Sequence, residues 1–157
     1  MVYEEKLIQK VLVAIDGSIY SDKVARYGEE IAKHHNAEIT LIHVVEPPKI
    51  ILPMSGMETT LPMAEIELTE KLATEMEKKA KKLLNQYKKE MENKGINAKI
   101  LIERGNVSET ILTIAEEESY DLIIVGCRGL GNIKRFILGS VSDKISKHAN
   151  CSVLIVR

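Results

Sequence analysis

The residues best suited to chemistry lie between Asp121 and Ser142, DLIIVGCRGLGNIKRFILGSVS. Three glycines and a serine are spaced as Gly126-x2-Gly129-x9-Gly139-Ser140. Just before them, Leu122, Ile123, Ile124 and Val125 form a continuous apolar run, which its β-branched content and terminal glycine mark as a buried strand. Helical spacing follows through His148. A strand, a glycine-rich loop and a helix start bring backbone N–H groups close to a phosphate, with the positive end of the helix dipole behind them. Glycine suits such a loop because a Cβ would block the approach or forbid the φ required. Ser140 is placed to cap the helix, with Asp143 in capping-box position.

A second stretch has the same character. Val11-Leu12-Val13-Ala14-Ile15-Asp16-Gly17-Ser18 is an apolar run that ends in a carboxylate and a turn. Spaced glycines alone also occur in ordinary strand–helix connections, so the two stretches count together.

These elements need a scaffold. The chain has 157 residues, 45% hydrophobic and 29% charged, the size and composition of one globular domain with a proper core. Lys and Arg balance Asp and Glu to a net charge of −1, without the basic surplus of a nucleic-acid footprint. No apolar run reaches the ~18–20 residues that span a bilayer. The opening MVYEEKLIQK carries acids where a signal peptide carries bases. Two cysteines, Cys127 and Cys151, make no disulfide framework, so a cytoplasmic setting is expected.

Residues 10–16 read as a first strand, apolar on both faces and therefore central. A helix capped by Ser18 or Ser21 runs to about Asn36 on a stripe of Val24, Gly28, Ile31 and Ala32. Gly28 inside that helix implies a close helix–sheet contact. Residues 39–45 form a second strand, stopped by Pro47 and Pro48. Residues 46–64, with four prolines and Met54, Met57 and Met63, read as a long irregular connection, either a surface loop or a lid or interaction patch.

A long helix is predicted from about Glu65 to Asn93. Leu68, Leu72, Met76, Ala80, Leu83, Tyr87 and Met91 form its stripe, read as one amphipathic helix on a sheet. Glu67–Lys71, Glu75–Lys79 and Glu77–Lys81 form favourable i,i+4 pairs. Lys78, Lys79, Lys81 and Lys82 read as a solvated face. Residues 96–103 alternate as an edge or half-exposed strand should. Asn106 caps a third helix with Glu109 in capping-box position, and that helix ends before Tyr120. Ser152–Val156 is a last short apolar strand. Strand and helix alternate five times, the pattern of a doubly wound α/β domain with a five-stranded parallel sheet and helices on both faces.

The Gly126-x2-Gly129-x9-Gly139-Ser140 motif resembles the ATP-binding signature of universal stress proteins, and residues 11–18 resemble that family's first strand and its aspartate. The similarity extends over nearly the whole chain. It implies strand order 3-2-1-4-5, which places the ends of strands one and four at the topological switch point where a ligand crevice opens. Ala14, Ile15 and Asp16 would then line the adenosine side, and Val44 would contact adenine. Gly126, Cys127, Arg128, Gly129, Leu130, Gly131 and Asn132 would wrap ribose and phosphates. Gly139, Ser140, Val141 and Ser142 would meet the phosphates at the helix start, with Mg2+ or Mn2+ bridging phosphate oxygens.

The resemblance also implies a homodimer through residues 152–156, whose apolar strand would otherwise lie bare at a sheet edge. The function it implies is a nucleotide-dependent stress-response or signalling module. A slow ATPase or nucleotidyl-transfer enzyme and a non-nucleotide protein scaffold are the alternatives.

Simpler roles stand beside these. Asp16 also fits a turn cap, Arg128 a solvated loop residue and His43 a packed strand-end histidine. Cys151 fits a small core residue. Cys127 has no basic partner in view that would make it a nucleophile. There is no G-x-x-x-x-G-K-[ST], so the chain is not a P-loop enzyme. No convincing water-activating carboxylate or histidine accompanies the loop, and binding is better supported than turnover.

Overall fold

A computed structural model describes residues 7–48, 63–129 and 138–157. Five strands and four helices alternate along the chain. They are β1 (Lys10–Ala14), α1 (Ser21–His35), β2 (Glu38–Val45), α2 (Met63–Glu92), β3 (Ala98–Arg104), α3 (Val107–Glu117), β4 (Leu122–Gly126), α4 (Ser140–His148) and β5 (Ser152–Val156). The sheet order is β3-β2-β1-β4-β5, as the resemblance implied. Every pairing is parallel. Val11 pairs with Ile39 on one side and Leu122 on the other.

Central strands must be apolar on both faces, and β1 obeys: Val11, Leu12 and Val13 are fully buried. Val11, Val13 and Ile15 pack against Val24, Ala25 and Ala32 of α1 and Leu84, Tyr87 and Met91 of α2. Leu12, Ile42 and Val44 pack on the other face against Ile111 and Ala115 of α3 and Ile145 of α4. Burying each such side chain contributes roughly 1.5–3 kcal/mol. Gly28 makes the expected close contact, since a Cβ there would stand 2.7 Å from Val13 Cγ2.

Helix ends depart from expectation at two places. The residue before α1 is Tyr20, with no side-chain cap; Ser21 is the first helical residue. Likewise Gly139 rather than Ser140 precedes α4, again without a side-chain cap, and the Asp143 carboxylate pairs with Lys147 instead of reaching back. Asn106 does cap α3, accepting from the Glu109 N–H.

α2 differs more. Its thirty residues span ~45 Å, against ~26 Å for the eight residues of β2. Arg104, the last residue of β3, reaches Glu77 and Glu70, so the early turns of α2 run past the strand ends. The expected stripe is therefore divided: Tyr87 and Met91 are buried, whereas Leu68, Leu72 and Met76 are exposed. The pairings shift as well. Glu75 meets Lys78 rather than Lys79, and Glu77 meets Arg104 rather than Lys81. The loop expected over residues 46–64 ends earlier, because Met63 and Ala64 are helical; residues 49–62 lie outside the described segments.

Candidate functional site

In a parallel sheet all strands finish at one rim, and β1 and β4 finish side by side there, at the point where the strand order reverses. Ile15 extends the ladder one residue past β1, its N–H donating to Ile42 O at 2.9 Å. The chain then turns at Gly17, whose φ of +79° is readily adopted by glycine.

A small network holds this turn. Asp16 Oδ1 accepts from the Ser18 N–H at 2.9 Å and from the Ser21 hydroxyl at 3.1 Å. The Ser21 oxygen in turn accepts from the Gly17 N–H at 2.9 Å. Ser21 is buried, so its hydroxyl locks the aspartate inside the structure rather than capping a helix. His43, at the end of β2, donates from Nδ1 to Ile15 O at 2.7 Å and is half-buried, the packed strand-end role. Val44 is buried in the α3–α4 face of the core.

The loop after β4 is shaped by contacts that exclude side chains. A Cβ on Gly126 would stand 3.0 Å from Tyr20 Cβ, and one on Gly129 would stand 2.9 Å from Asp16 Oδ2. A Cβ on Gly139 would stand 3.3 Å from both Arg128 Cα and Cys127 O. A backbone bond brings the two ends of the loop together, the Gly139 N–H donating to Cys127 O at 2.8 Å, and the Cys127 N–H ties the loop's start to β5 by donating to Val156 O at 2.7 Å. Ser142 is buried with its hydroxyl 3.0 Å from both Cys127 O and Gly139 O. That hydroxyl is turned into the loop. The helix start consequently offers main-chain N–H groups, with Ser140 exposed at its edge.

Of the expected site residues, Asp16, Gly126, Cys127, Arg128, Gly129 and Gly139 converge on this rim, with Ala14 and Ile15 beneath them. Leu130, Gly131 and Asn132 lie outside the described residues. Cys127 is buried and Cys151 partly so. Burial pushes the Cys151 thiol up, in keeping with a packing role.

Two residues belong to the site that motif reading passes over. Ser21 fixes Asp16, and Tyr20 lies against the exit of β4. The interaction with Cys127 pushes the Tyr20 hydroxyl above its ordinary value. The sequence signal was their position, at the helix start directly after the Asp16 turn. A concavity of about 200 Å3 bounded by Ala115, Tyr120, Asn150 and Cys151 lies elsewhere and holds none of the candidate residues.

The arrangement defines a doubly wound α/β domain in which Gly129, just after β4, meets Asp16, just after β1, at the switch point. The chain belongs to the universal stress protein family, whose model matches residues 7–157. It is 34% identical over 151 residues to universal stress protein YxiE of Bacillus subtilis, covering 96% of this chain and 100% of that one. The solved structure of MJ0577, a Methanocaldococcus jannaschii universal stress protein, superposes with a TM-score of 0.77 at 29% identity, covering 96% of each chain. UspA from Lactobacillus plantarum shares the fold with a TM-score of 0.83 at 24% identity, covering 96% of this chain and 98% of that one. The fold also recurs, at a TM-score of 0.61 and 23% identity over 96% of this chain and 97% of the other, in a universal stress protein solved in complex with cAMP.

Proposed function

We propose that this chain binds ATP in the crevice between the ends of β1 and β4 and acts as a nucleotide-dependent stress-response module. The observation that carries the reading is the meeting of Asp16 with Gly129. Two segments more than a hundred residues apart come so close that even one methyl group on the loop would clash with the carboxylate, which keeps the loop bare of side chains there. That bareness suits a polyanion held by main-chain N–H groups, with α4 supplying the positive end of its dipole. The chain's own residues divide the work. Asp16, fixed by Ser18 and Ser21, faces the nucleoside side; Gly126 through Gly129 and residues 139–142 cradle the phosphates; and Arg128 adds a charge-assisted contact.

Mg2+ or Mn2+ would neutralise phosphate oxygens and draw few ligands from protein. The cAMP-bound relative agrees with a nucleotide ligand without fixing which one this chain prefers.

The proposed assembly is a homodimer through β5. Val153, Leu154 and Ile155 are half-buried on both faces of a strand that stands at the sheet edge.

The direct test is mass spectrometry of nucleotide released on denaturing the purified protein, followed by ATP titration of stripped protein. ATP recovered near one per chain is the expected result. ADP or AMP alone would favour slow hydrolysis, and a protein that ignores ATP with magnesium would sink the nucleotide reading.

A further inference from the structure

We propose that Tyr20 is a positioning residue for the phosphate site, holding residues 126–129 at the exit of β4 against the Asp16 turn so that this segment is set before ligand arrives. The inference rests on the nucleotide reading and concerns a residue outside the glycine–serine motif.

Three observations carry it. Tyr20 sits where its main chain is anchored twice: its N–H donates to the Ser18 hydroxyl at 3.3 Å, and its carbonyl accepts from the Val24 N–H at 2.9 Å. Its side chain packs partly buried against the core cluster of β1, α1 and α2. Its Cβ and Cγ lie 3.0 and 3.7 Å from where a Cβ on Gly126 would be, so the Tyr20 side chain, from its methylene to the root of its ring, lines the space that glycine leaves open. One aromatic residue thus spans from the turn that holds Asp16 to the first residues of the phosphate loop. The response of its hydroxyl to Cys127 agrees with that placement.

A residue acting this way lowers the ordering cost of phosphate binding without touching phosphate. Its removal should weaken ligands that use the loop and spare those that do not. The test measures ATP and adenosine binding by calorimetry for wild type, Tyr20→Ala and Tyr20→Phe, well below each melting temperature. In parallel, iodoacetamide modification of Cys127 is followed without nucleotide in a Cys151→Ser background.

Tyr20→Ala should weaken ATP about tenfold while adenosine changes less than about twofold, and Tyr20→Phe should restore ATP binding, because the ring does the positioning. Cys127 modification should quicken about tenfold in Tyr20→Ala as the thiol is uncovered. Equal loss of ATP and adenosine, or no loss of either, overturns the proposal, as does an unchanged modification rate. If wild type binds neither ligand, the nucleotide reading falls and takes the positioning role with it. Binding by wild type with an unaffected Tyr20→Ala overturns the positioning role alone.

Discussion

Asp16 Oδ2 and the α-carbon of Gly129 approach so closely that a Cβ at 129 would lie 2.9 Å from the oxygen. The contact joins the end of the first strand to the loop after the fourth. Gly129→Val must therefore displace either the carboxylate or the loop. ATP binding should weaken by at least about tenfold, ~1.4 kcal/mol, while the circular dichroism spectrum and melting temperature stay near wild type. A valine variant that binds ATP normally would contradict the site as drawn.

Ser21 holds the other side of the same carboxylate. Ser21→Ala leaves the Gly17 N–H without its acceptor and Asp16 Oδ1 with one donor instead of two. Because Ser21 is buried, stability should fall by about 1–3 kcal/mol in urea titration. A loss well below that range would mean that water replaces the hydroxyl.

Gly28 tests the helix–sheet contact. A Cβ there would sit 2.7 Å from Val13 Cγ2 and 3.2 Å from Ile39 Cδ1. Gly28→Ala gains helix propensity of up to ~1 kcal/mol but meets overpacking worth about 1–3 kcal/mol, so net destabilisation is expected. Adding Val13→Ala should make the alanine at 28 less damaging than it is alone, a non-additivity that a double-mutant cycle reads directly.

The outward groups of β5 can be identified from its pairing. Ser152 N–H donates to Asp121 O and Val156 O accepts from Cys127 N–H, so residues 152, 154 and 156 direct their main chain at β4. Val153 and Ile155 direct theirs away, toward a proposed second subunit. Val153→Pro removes one outward N–H and leaves the β4 ladder intact. Light scattering should find a monomer. A variant still dimeric by that measure would move the interface elsewhere.

Arg104 predicts a pH effect. Its hydrogen bond holds the Glu77 carboxyl below the ordinary value of 4.5, so folding is favoured by the charged pair at neutral pH. That contribution is lost as pH falls through the lowered value. Arg104→Gln should melt below wild type at pH 7, and the gap should close as pH falls through the lowered Glu77 value. The pair is exposed, so raising salt should narrow the gap too. A gap independent of pH would mean that Arg104 acts through packing alone.

Much of this molecule is legible from local rules. The apolar runs at residues 11–13 and 122–125 are buried strands because only a central strand is dry on both faces. Gly28 and Asn106 each fill the role their local context demands. What the sequence hides is length and geometry. Leu68, Leu72 and Met76 have the spacing of a buried stripe, yet α2 outruns the sheet and leaves them exposed. Ser140 and Ser21 have the chemistry of caps, but the chain enters each helix one residue earlier. Ser21 then turns to Asp16, a partner in tertiary space that the order of residues identifies only once the turn is known.

The central strand also fixes an order of events. β1 is made first, yet its partner β4 follows more than a hundred residues later, after β2 and β3. Closing so long a loop carries an entropic cost that shorter pairings avoid, and during synthesis β1 must wait with one edge unpaired. The pairing that finally covers this edge is the one that brings Gly129 to Asp16. Nascent or truncated chains lacking β4 therefore have no crevice at all, and under the proposed function competence to hold nucleotide would mark a chain that has paired its central strand.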